Sequence, residues 1–484
     1  MLVAAICAKD HKSASNQIRK ALLYPVDILE LRLDFFNNLK ITEIKNLNKS
    51  FNIPMIFTLR KKSQGGLFRG KEAERLKLIK DLIVLEPEYF DLEYDIANSF
   101  VNSIRKEYPQ VKLICSYHDF KKTPEDLNQI LTSMARNKFS IYKIATFANS
   151  TIDSLRMLNF VQEHRGRNNL CGLCMGELGR PTRILSPIVN NALNYVSVGA
   201  GQNTAPGQLD LTELFDTYNY AGINKKTSVY ALLGDPVLQS VGHIFHNSVF
   251  QKLKQNAVYI KLQVKKEELL KFFQEAFKLP FKGFSVTMPL KESVVSFLRL
   301  SKDVKIIKAV NTILKTKNKL EGFNTDGIGA LNAIEKITHV KNKKIIVLGA
   351  GGTAKAIVYE ALKRGAEVII LNRTLSRAKE IAQTFNCRAC GLNYAKKLVK
   401  EGYDILINTT SVGMGKQKNI SLFPARAIIA GALVLDMVYK PRVTKLLQNA
   451  KAKKCICITG EEVFINQALE QDFLWLCGES LNQI

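Results

Sequence analysis

Apolar runs of strand length recur through the first 220 residues, and most of the stretches between them are long enough to hold a helix. The runs are residues 2–8, 28–34, 54–60, 89–94, 112–118, 141–146, 170–176 and 195–200. Strands that alternate with helices imply a parallel sheet. Eight such units in this length fit a (β/α)8 barrel, whose chemistry gathers at the C-terminal ends of its strands. The polar stretch 221–227 ends that rhythm, and a fresh apolar strand follows at 229–233.

Polar residues inside the runs change the picture from scaffold to chemistry. In 28–34, Leu29, Leu31 and Leu33 share one face, and Glu30, Arg32 and Asp34 share the other. In a barrel the leucine face packs on helices, so the charged face points inward, where charge is costly and is usually kept for function. Lys143 sits in the run 141–146 with apolar neighbours on both sides. A buried amine loses hydration and is pushed toward its neutral form, which can attack a ketone and form an imine. His118, at the end of 112–118 and followed by Asp119, is the natural proton carrier at the same sheet edge.

Composition narrows the partners. The chain has 484 residues, 46% of them hydrophobic and 23% charged, which excludes a disordered or collagen-like protein. Lys and Arg number 70 against 43 Asp and Glu, a net charge of +27. The basic residues are dispersed and form no stripe, so no nucleic-acid partner is expected and anionic small molecules suit the surplus better. No apolar run approaches the ~20 residues that span a bilayer; residues 427–435 come nearest, and Asp436 stops them. No membrane partner is expected, and residues 2–8, which lack a basic leader, read as a strand and not as a signal peptide. The nine cysteines are scattered. Cys171 and Cys174 have a C-x-x-C spacing but lie in a strand, where residues three apart face opposite ways. No metal site is expected, and the cysteines read as reduced thiols of a cytoplasmic protein.

The first half resembles the type I 3-dehydroquinate dehydratases. The residues that carry the likeness are Glu30-Leu-Arg32-Leu-Asp34, Phe57-Thr-Leu-Arg60, Ser116-Tyr-His118-Asp119, Tyr142-Lys143, Met175-Gly-Glu-Leu-Gly-Arg-Pro-Thr-Arg183 and Thr204-Ala-Pro-Gly-Gln208. The resemblance implies that Lys143 forms a Schiff base with the ring ketone, that His118 moves the protons and that Glu30 orients His118. It also implies Arg183 as a bidentate clamp on the substrate carboxylate, with Arg32, Arg60, Thr204 and Gln208 completing the pocket. Position 204 is usually Ser in that family, and Thr204 keeps the hydroxyl while adding a methyl.

The second half holds a dinucleotide signature. An apolar strand at 344–348 runs into Gly349-Ala350-Gly351-Gly352-Thr353-Ala354 and then a helix, the setting that a G-x-G-x-x-A motif requires. Glycines let the backbone approach a pyrophosphate, and the helix N-terminus favours its charge. The next strand ends in Asn372-Arg373-Thr374, with Arg377 four residues past Arg373. An acidic residue at that place would bind a ribose hydroxyl; two cations suit a 2′-phosphate, so the sequence predicts NADP(H). Polar residues also cluster at strand-to-turn junctions, in Thr287-Met-Pro-Leu-Lys291, Asn311-Thr312 and Asn324-Thr-Asp326, and suggest a pocket for a polyol.

Residues 229–475 resemble shikimate dehydrogenases, in these motifs and in Gly234-Asp-Pro236, Ser240, His246-Asn247, Asp436-Met437-Val438-Tyr439 and Gly460…Gln467. The resemblance implies Lys291 as acid/base, paired with Asp326. It implies Ser240, Thr287, Asn311, Tyr439, Gln467 and Gln471 around the substrate, and Met437 and Gly460 beside the cofactor. One departure stands out: the family's first substrate loop carries Ser-x-Ser-Pro, and this chain has Ser240-Val241-Gly242-His243. The two resemblances together predict consecutive reactions of one pathway, 3-dehydroquinate to 3-dehydroshikimate and then to shikimate. The expected architecture is a (β/α)8 TIM barrel over 1–222, an α/β substrate domain over 228–326 completed by 445–484, and a Rossmann NADP-binding domain over 327–444. The alternatives are a second half that prefers quinate, or one that binds NADP as an inactive regulator.

Overall fold

The computed structural model describes all residues except 165, 167–168, 200, 202–203, 318 and 479–484. The last residue of the expected run 195–200 therefore lies outside the described residues. The chain forms two compact units, Met1–Leu232 with Pro236–Phe281, and Leu233–Asp235 with Lys282–Ile484.

In the first unit each of the eight apolar runs holds one strand: β1 (Leu2–Ile6), β2 (Ile28–Arg32), β3 (Met55–Thr58), β4 (Tyr89–Glu93), β5 (Lys112–Asp119), β6 (Ile141–Phe147), β7 (Leu170–Met175) and β8 (Asn194–Ser197). They follow the order β7-β6-β5-β4-β3-β2-β1-β8, and neighbours pair in parallel. Val3, Ile28, Ile56, Tyr89, Ile114, Ile141, Cys171 and Tyr195 come from all eight strands and form one buried cluster, a layer inside the barrel. Glu30 and Arg32 follow Ile28 in steps of two, so they stand above that layer on the same inner face. Between β7 and β8 the backbone contributes a bond from Ala192 N to Leu170 O at 3.0 Å. Side chains add further links: Asn191 Oδ1 accepts from Gly172 N at 2.9 Å, its Nδ2 donates to Gly172 O at 3.0 Å, and Cys171 Sγ donates to Leu193 O at 3.2 Å. A carboxamide carries both a donor and an acceptor, so it can stand in for a missing strand residue.

The helix Thr151–Glu163 buries Ile152, Leu155, Met157, Leu158, Phe160 and Val161. A helix apolar nearly all round needs cover on both sides. Part of the cover comes from residues 236–281 of the same unit. There Asn159 Nδ2 donates to the Glu275 carboxylate at 2.8 Å and Gln162 Nε2 donates to Lys278 O at 2.9 Å. The segment also holds β10 (Ala257–Gln263), which pairs with β9 (Ser228–Gly234), most of it in the same unit.

The second unit contains a small mixed sheet of β11 (Phe281–Val286), β12 (Arg299–Leu300), β13 (Thr312–Thr316) and β14 (Lys319–Phe323). Strand β13 runs antiparallel to β11 and β14, and β12 runs parallel to β14. The second sheet of this unit has β15 (Lys344–Leu348), β16 (Glu367–Asn372), β17 (Arg388–Gly391), β18 (Ile405–Asn408), β19 (Leu433–Asp436) and β20 (Ile456–Ile458). Its order is β17-β16-β15-β18-β19-β20, all parallel. Successive residues enter opposite cores: Ile345, Val347, Val368 and Ile370 join one, and Ile346, Leu348, Ile369 and Leu371 the other. That is the pattern of a doubly wound sheet, which binds its ligand where the strand order reverses, here between β15 and β18.

Candidate active sites

One cleft in the barrel unit, about 470 Å³ in volume, is lined by all eight predicted dehydratase residues: Glu30, Arg32, Arg60, His118, Lys143, Arg183, Thr204 and Gln208. The strands explain the gathering. Glu30 and Arg32 lie on β2, His118 on β5 and Lys143 on β6, so the barrel's inner face carries them to one mouth. Arg60 follows β3, and Arg183 sits in the short helix Arg180–Ile184 after β7.

The charges in this cleft are paired with one exception. Arg32 makes a two-point contact with Asp34, at 2.9 and 2.8 Å. Arg60 lies 2.8 Å from Asp91 and 3.6 Å from Glu93. Burial works against the Arg60 charge, but Asp91, Glu93 and Glu30 outweigh it and raise its pKa. Lys143 Nζ is 3.3 Å from Asp91, 3.8 Å from Glu30 and 3.8 Å from the centre of the Tyr195 ring. Lys143 is therefore one member of a buried ion-paired group. Asp91 resists burial because Arg60 and Lys143 beside it favour its charge, and its pKa is lowered. Arg183 is the exception. It donates to Tyr195 O at 2.7 Å but has no carboxylate partner among the described residues, and burial lowers its pKa to about 10. A buried guanidinium without a counter-ion is an expensive arrangement that an incoming carboxylate would relieve.

His118 is kept from protonation by burial, then by the nearby cations Arg60, Lys143 and Arg32, which together lower its pKa well below 6.5. Glu30 Oε1 accepts from Thr58 Oγ1 at 2.9 Å, no hydrogen bond joins it to His118, and His118 Nδ1 has no partner. The reason lies in the barrel order, because β3 and β4 separate β2 from β5 and place Thr58 and Asp91 between them. Among the described residues, five in the cleft have a buried polar atom without a partner: Gln64 Oε1, His118 Nδ1, Arg183 Nε, Tyr195 Oη and Gln208 Nε2. Buried polar atoms are nearly always paired, so a cluster of orphans in one cleft describes a ligand rich in oxygen.

A second constellation lies in the second unit. Lys291, five residues past β11, forms an ion pair with Asp326, the first residue of the helix Asp326–Glu335. Asn311 Nδ2 donates to the other Asp326 oxygen at 2.7 Å and lies 3.0 Å from Gln467 Oε1. Thr287 follows β11 on the way to Lys291 and is half-buried. Tyr439 packs its ring on Phe464 with centroids 6.1 Å apart. Gln471 is not free to hold a substrate: Ser285 Oγ donates to its Oε1, and its Nε2 donates to Asn311 O and Thr312 Oγ1, all within 3.0 Å. It supports Asn311 instead. Ser240 belongs to the first unit, where its Oγ accepts from Gly242 N at 3.2 Å.

The nucleotide elements fit a dinucleotide. Gly349 has φ +114, a conformation that suits only glycine, and a Cβ on Gly351 would meet nothing within 4 Å, so the backbone after β15 is open to a ligand. Gly352 and Thr353 begin the helix Gly352–Lys363, next to Ala350 and Ala354. At the end of β16, Asn372 Nδ2 donates to Thr374 O at 2.9 Å, which shapes the turn. Arg373 and Arg377 are exposed there, and neither has an ion pair among the described residues. Gly460 must be a glycine because a Cβ would lie 2.7 Å from Met437 O and 2.5 Å from the Val438 carbonyl carbon. Its loop is braced by Asp436, whose carboxylate accepts from Asn408 Nδ2, Val438 N and Thr444 Oγ1. Burial nonetheless raises the Asp436 pKa.

Sequence reasoning missed Asp91, Glu93, Ser116 and Tyr195 in the barrel. A signal was present for two of them: Phe90-Asp91-Leu92-Glu93 alternates as 28–34 does. Among the described residues no group of acidic, His and Cys side chains could hold a metal, and no helix is long and apolar enough to cross a membrane.

Family models match at residues 2–225 (type I 3-dehydroquinase), 232–313 (shikimate dehydrogenase substrate binding domain) and 332–420 (shikimate / quinate 5-dehydrogenase). The "Shikimate biosynthesis protein AroDE" of Chlamydia pneumoniae is 36% identical over 98% of this chain and 95% of its own. The "Bifunctional 3-dehydroquinate dehydratase/shikimate dehydrogenase, chloroplastic" of Arabidopsis thaliana is 34% identical over 97% of this chain and 81% of its own. The "Shikimate dehydrogenase (NADP(+))" of Pyrococcus furiosus is 43% identical over 52% of this chain and 92% of its own. Likeness to two-function relatives along nearly its whole length, on top of a barrel cleft and a separate nucleotide fold, makes this chain a member of the bifunctional 3-dehydroquinate dehydratase/shikimate dehydrogenase family.

Proposed function

We propose that the barrel dehydrates 3-dehydroquinate through an imine on Lys143, and that the second half reduces the product, 3-dehydroshikimate, to shikimate with NADPH. The observation that carries the first assignment is the single cleft that holds Lys143, His118 and the unpaired Arg183. Arg183 takes the substrate carboxylate as its missing counter-ion. Lys143 passes its proton to the carboxylate group around it and attacks the ketone, and water leaves as the imine forms. His118, neutral at the start, removes the adjacent C–H proton and then delivers it to the departing hydroxyl. Arg32, Arg60, Thr204 and Gln208 hold the remaining oxygens. Hydrolysis of the imine frees the product and restores the amine.

In the second half the nicotinamide supplies the hydride when it is bound. The glycine-rich turn 349–353 and Thr374 would hold its phosphates, Arg373 and Arg377 its 2′-phosphate, and Met437 and Gly460 would flank the ring. Lys291, paired with Asp326, gives a proton to the carbonyl oxygen as hydride reaches the carbon. Thr287, Asn311, Gln467 and Tyr439 would bind the hydroxyls and carboxylate. NADP is supported by the two free arginines and by the archaeal relative named for that cofactor. We assign the domain limits 1–222, 228–326 with 445–484, and 327–444, and a reducing compartment such as the cytoplasm, where nine unpaired cysteines are at home.

Borohydride trapping tests the first reaction. Protein incubated with dehydroquinate and reduced should gain the substrate's mass on Lys143. Dehydratase activity without such an adduct would mean another mechanism. The second reaction is tested by adding dehydroquinate and NADPH together and following nicotinamide absorbance. Oxidation of quinate in clear preference to shikimate would defeat the substrate assignment.

A further inference from the structure

Thr353 occupies the second position of the helix Gly352–Lys363, in the turn assigned above to the cofactor's phosphates. Its hydroxyl does not face that turn alone. Thr353 Oγ1 donates to Asp326 Oδ2 at 3.1 Å and accepts from Lys291 Nζ at 3.0 Å. Lys291 and Asp326 are themselves ion-paired through the same oxygen, so the three groups close a triangle. Three separate stretches of chain meet there, and the backbone is close as well: a Cβ on Gly352 would lie 3.5 Å from Lys291 Cβ.

A hydroxyl has one proton and two lone pairs, and an ammonium has three protons at tetrahedral angles. Two of the ammonium protons are committed, one to Asp326 and one to Thr353. With the bond to Cε also fixed, the direction of the third proton is determined. The Asp326 carboxylate cannot swing, because its other oxygen is held by Asn311 at 2.7 Å.

We propose that Thr353 is a positioning residue for the reduction: its hydroxyl aims the free proton of Lys291 at the substrate oxygen. Because it stands in the helix that receives the nucleotide, the proton donor and the hydride donor are set by one rigid element. The inference rests on the reading of Lys291 and Asp326 as the acid/base pair. The hydroxyl is not required by the nucleotide fold itself, which uses the backbone of this turn.

The test uses the full chain, whose dehydratase activity reports folding in the same tube. Thr353→Val keeps the shape and removes the hydroxyl; Thr353→Ala does so with less bulk, should the methyl of Val crowd the turn. Both should lower kcat for 3-dehydroshikimate reduction about ten-fold, the effect of one hydrogen bond to a charged group, with little change in KM for NADPH. The isotope effect with the deuterated hydride donor should rise, because the chemical step has slowed. Thr353→Ser should restore most of kcat. A rise in KM for NADPH at unchanged kcat would assign the hydroxyl to the cofactor and overturn the proposal, as would normal kcat in the Val and Ala variants. Lys291→Ala separates the two readings. If it spares turnover, the acid/base assignment is wrong; if it abolishes turnover while Thr353→Val does not, only the role of Thr353 falls.

Discussion

His118 shows how a side chain takes its working state from its neighbours. Burial and three cations hold its pKa well below 6.5, so it is a neutral base across the physiological range. For a base with a depressed pKa, the active form persists as pH falls and is lost only at the lower value. The acid limb of kcat/KM for dehydration, which reports the free enzyme, is therefore expected well below pH 6.5. A limb at 6.5 or above would show that the imidazole is not shielded in this way. His118→Ala should lower kcat by about 10²–10⁴ while shikimate oxidation in the same preparation is unchanged. Gly242 is the counterpart in the second half. A Cβ there would lie 3.4 Å from Ser240 Oγ and 3.6 Å from Tyr259 Oη, which is ordinary contact. Gly242→Ser should therefore fold and offer one more donor to a carboxylate. We expect KM for shikimate to fall about ten-fold, as measured from initial rates with shikimate and quinate in parallel. An unchanged KM would mean that another group already fills that role. Much of this was legible: Lys143 and Glu30 stood out because charge inside an apolar strand has few structural uses. Asp91 carried the same alternation but its role was hidden, because that role comes from Arg60, just past β3, and Lys143 on β6, partners that β4 alone does not reveal.

The barrel strands were legible as elements because each is a short apolar run with a helix after it. Their ends were less so. The run 28–34 stops being a strand at Arg32, since Leu33–Phe35 bends into a single tight turn that brings Asp34 back onto Arg32. The sequence also could not say what covers the helix Thr151–Glu163, whose second apolar face meets residues far along the chain. In the second unit the helix Asp326–Glu335 lies against the long helix Gly460–Cys477 at Gly329, where a Cβ would be 2.5 Å from Gln467 Cβ. Two helices approach that closely only where one presents hydrogen. Gly329→Val would push Gln467 away from Asn311 and Asp326. Overpacking of this kind costs about 1–3 kcal/mol, so the variant should fold, keep its dehydratase rate and lose most of its dehydrogenase kcat. Equal loss of both activities would instead point to global unfolding.

The whole chain carries a net charge of +27, and the proposed substrates and cofactor are all anions. Long-range attraction of this kind is screened by salt, over about 10 Å at 0.1 M. Raising ionic strength should raise KM for dehydroquinate, dehydroshikimate and NADPH together and change both kcat values less. A KM that ignores salt would mean that the excess charge sits away from both entrances. The sum of charge was readable from composition, but its placement was not, because dispersed lysines form no pattern along the chain. Among the described residues, the barrel is joined between β7 and β8 by one backbone bond and by the side chains of Asn191 and Cys171 in place of a regular ladder, so the wall has its weakest stave there. Amide protons of Gly172 and Ala192 should exchange with deuterated solvent sooner than those of the other staves. Since the clamp Arg183 follows one side of that stave and Tyr195 lies on the other, breathing there would loosen the grip on a bound acid and set the pace at which it departs.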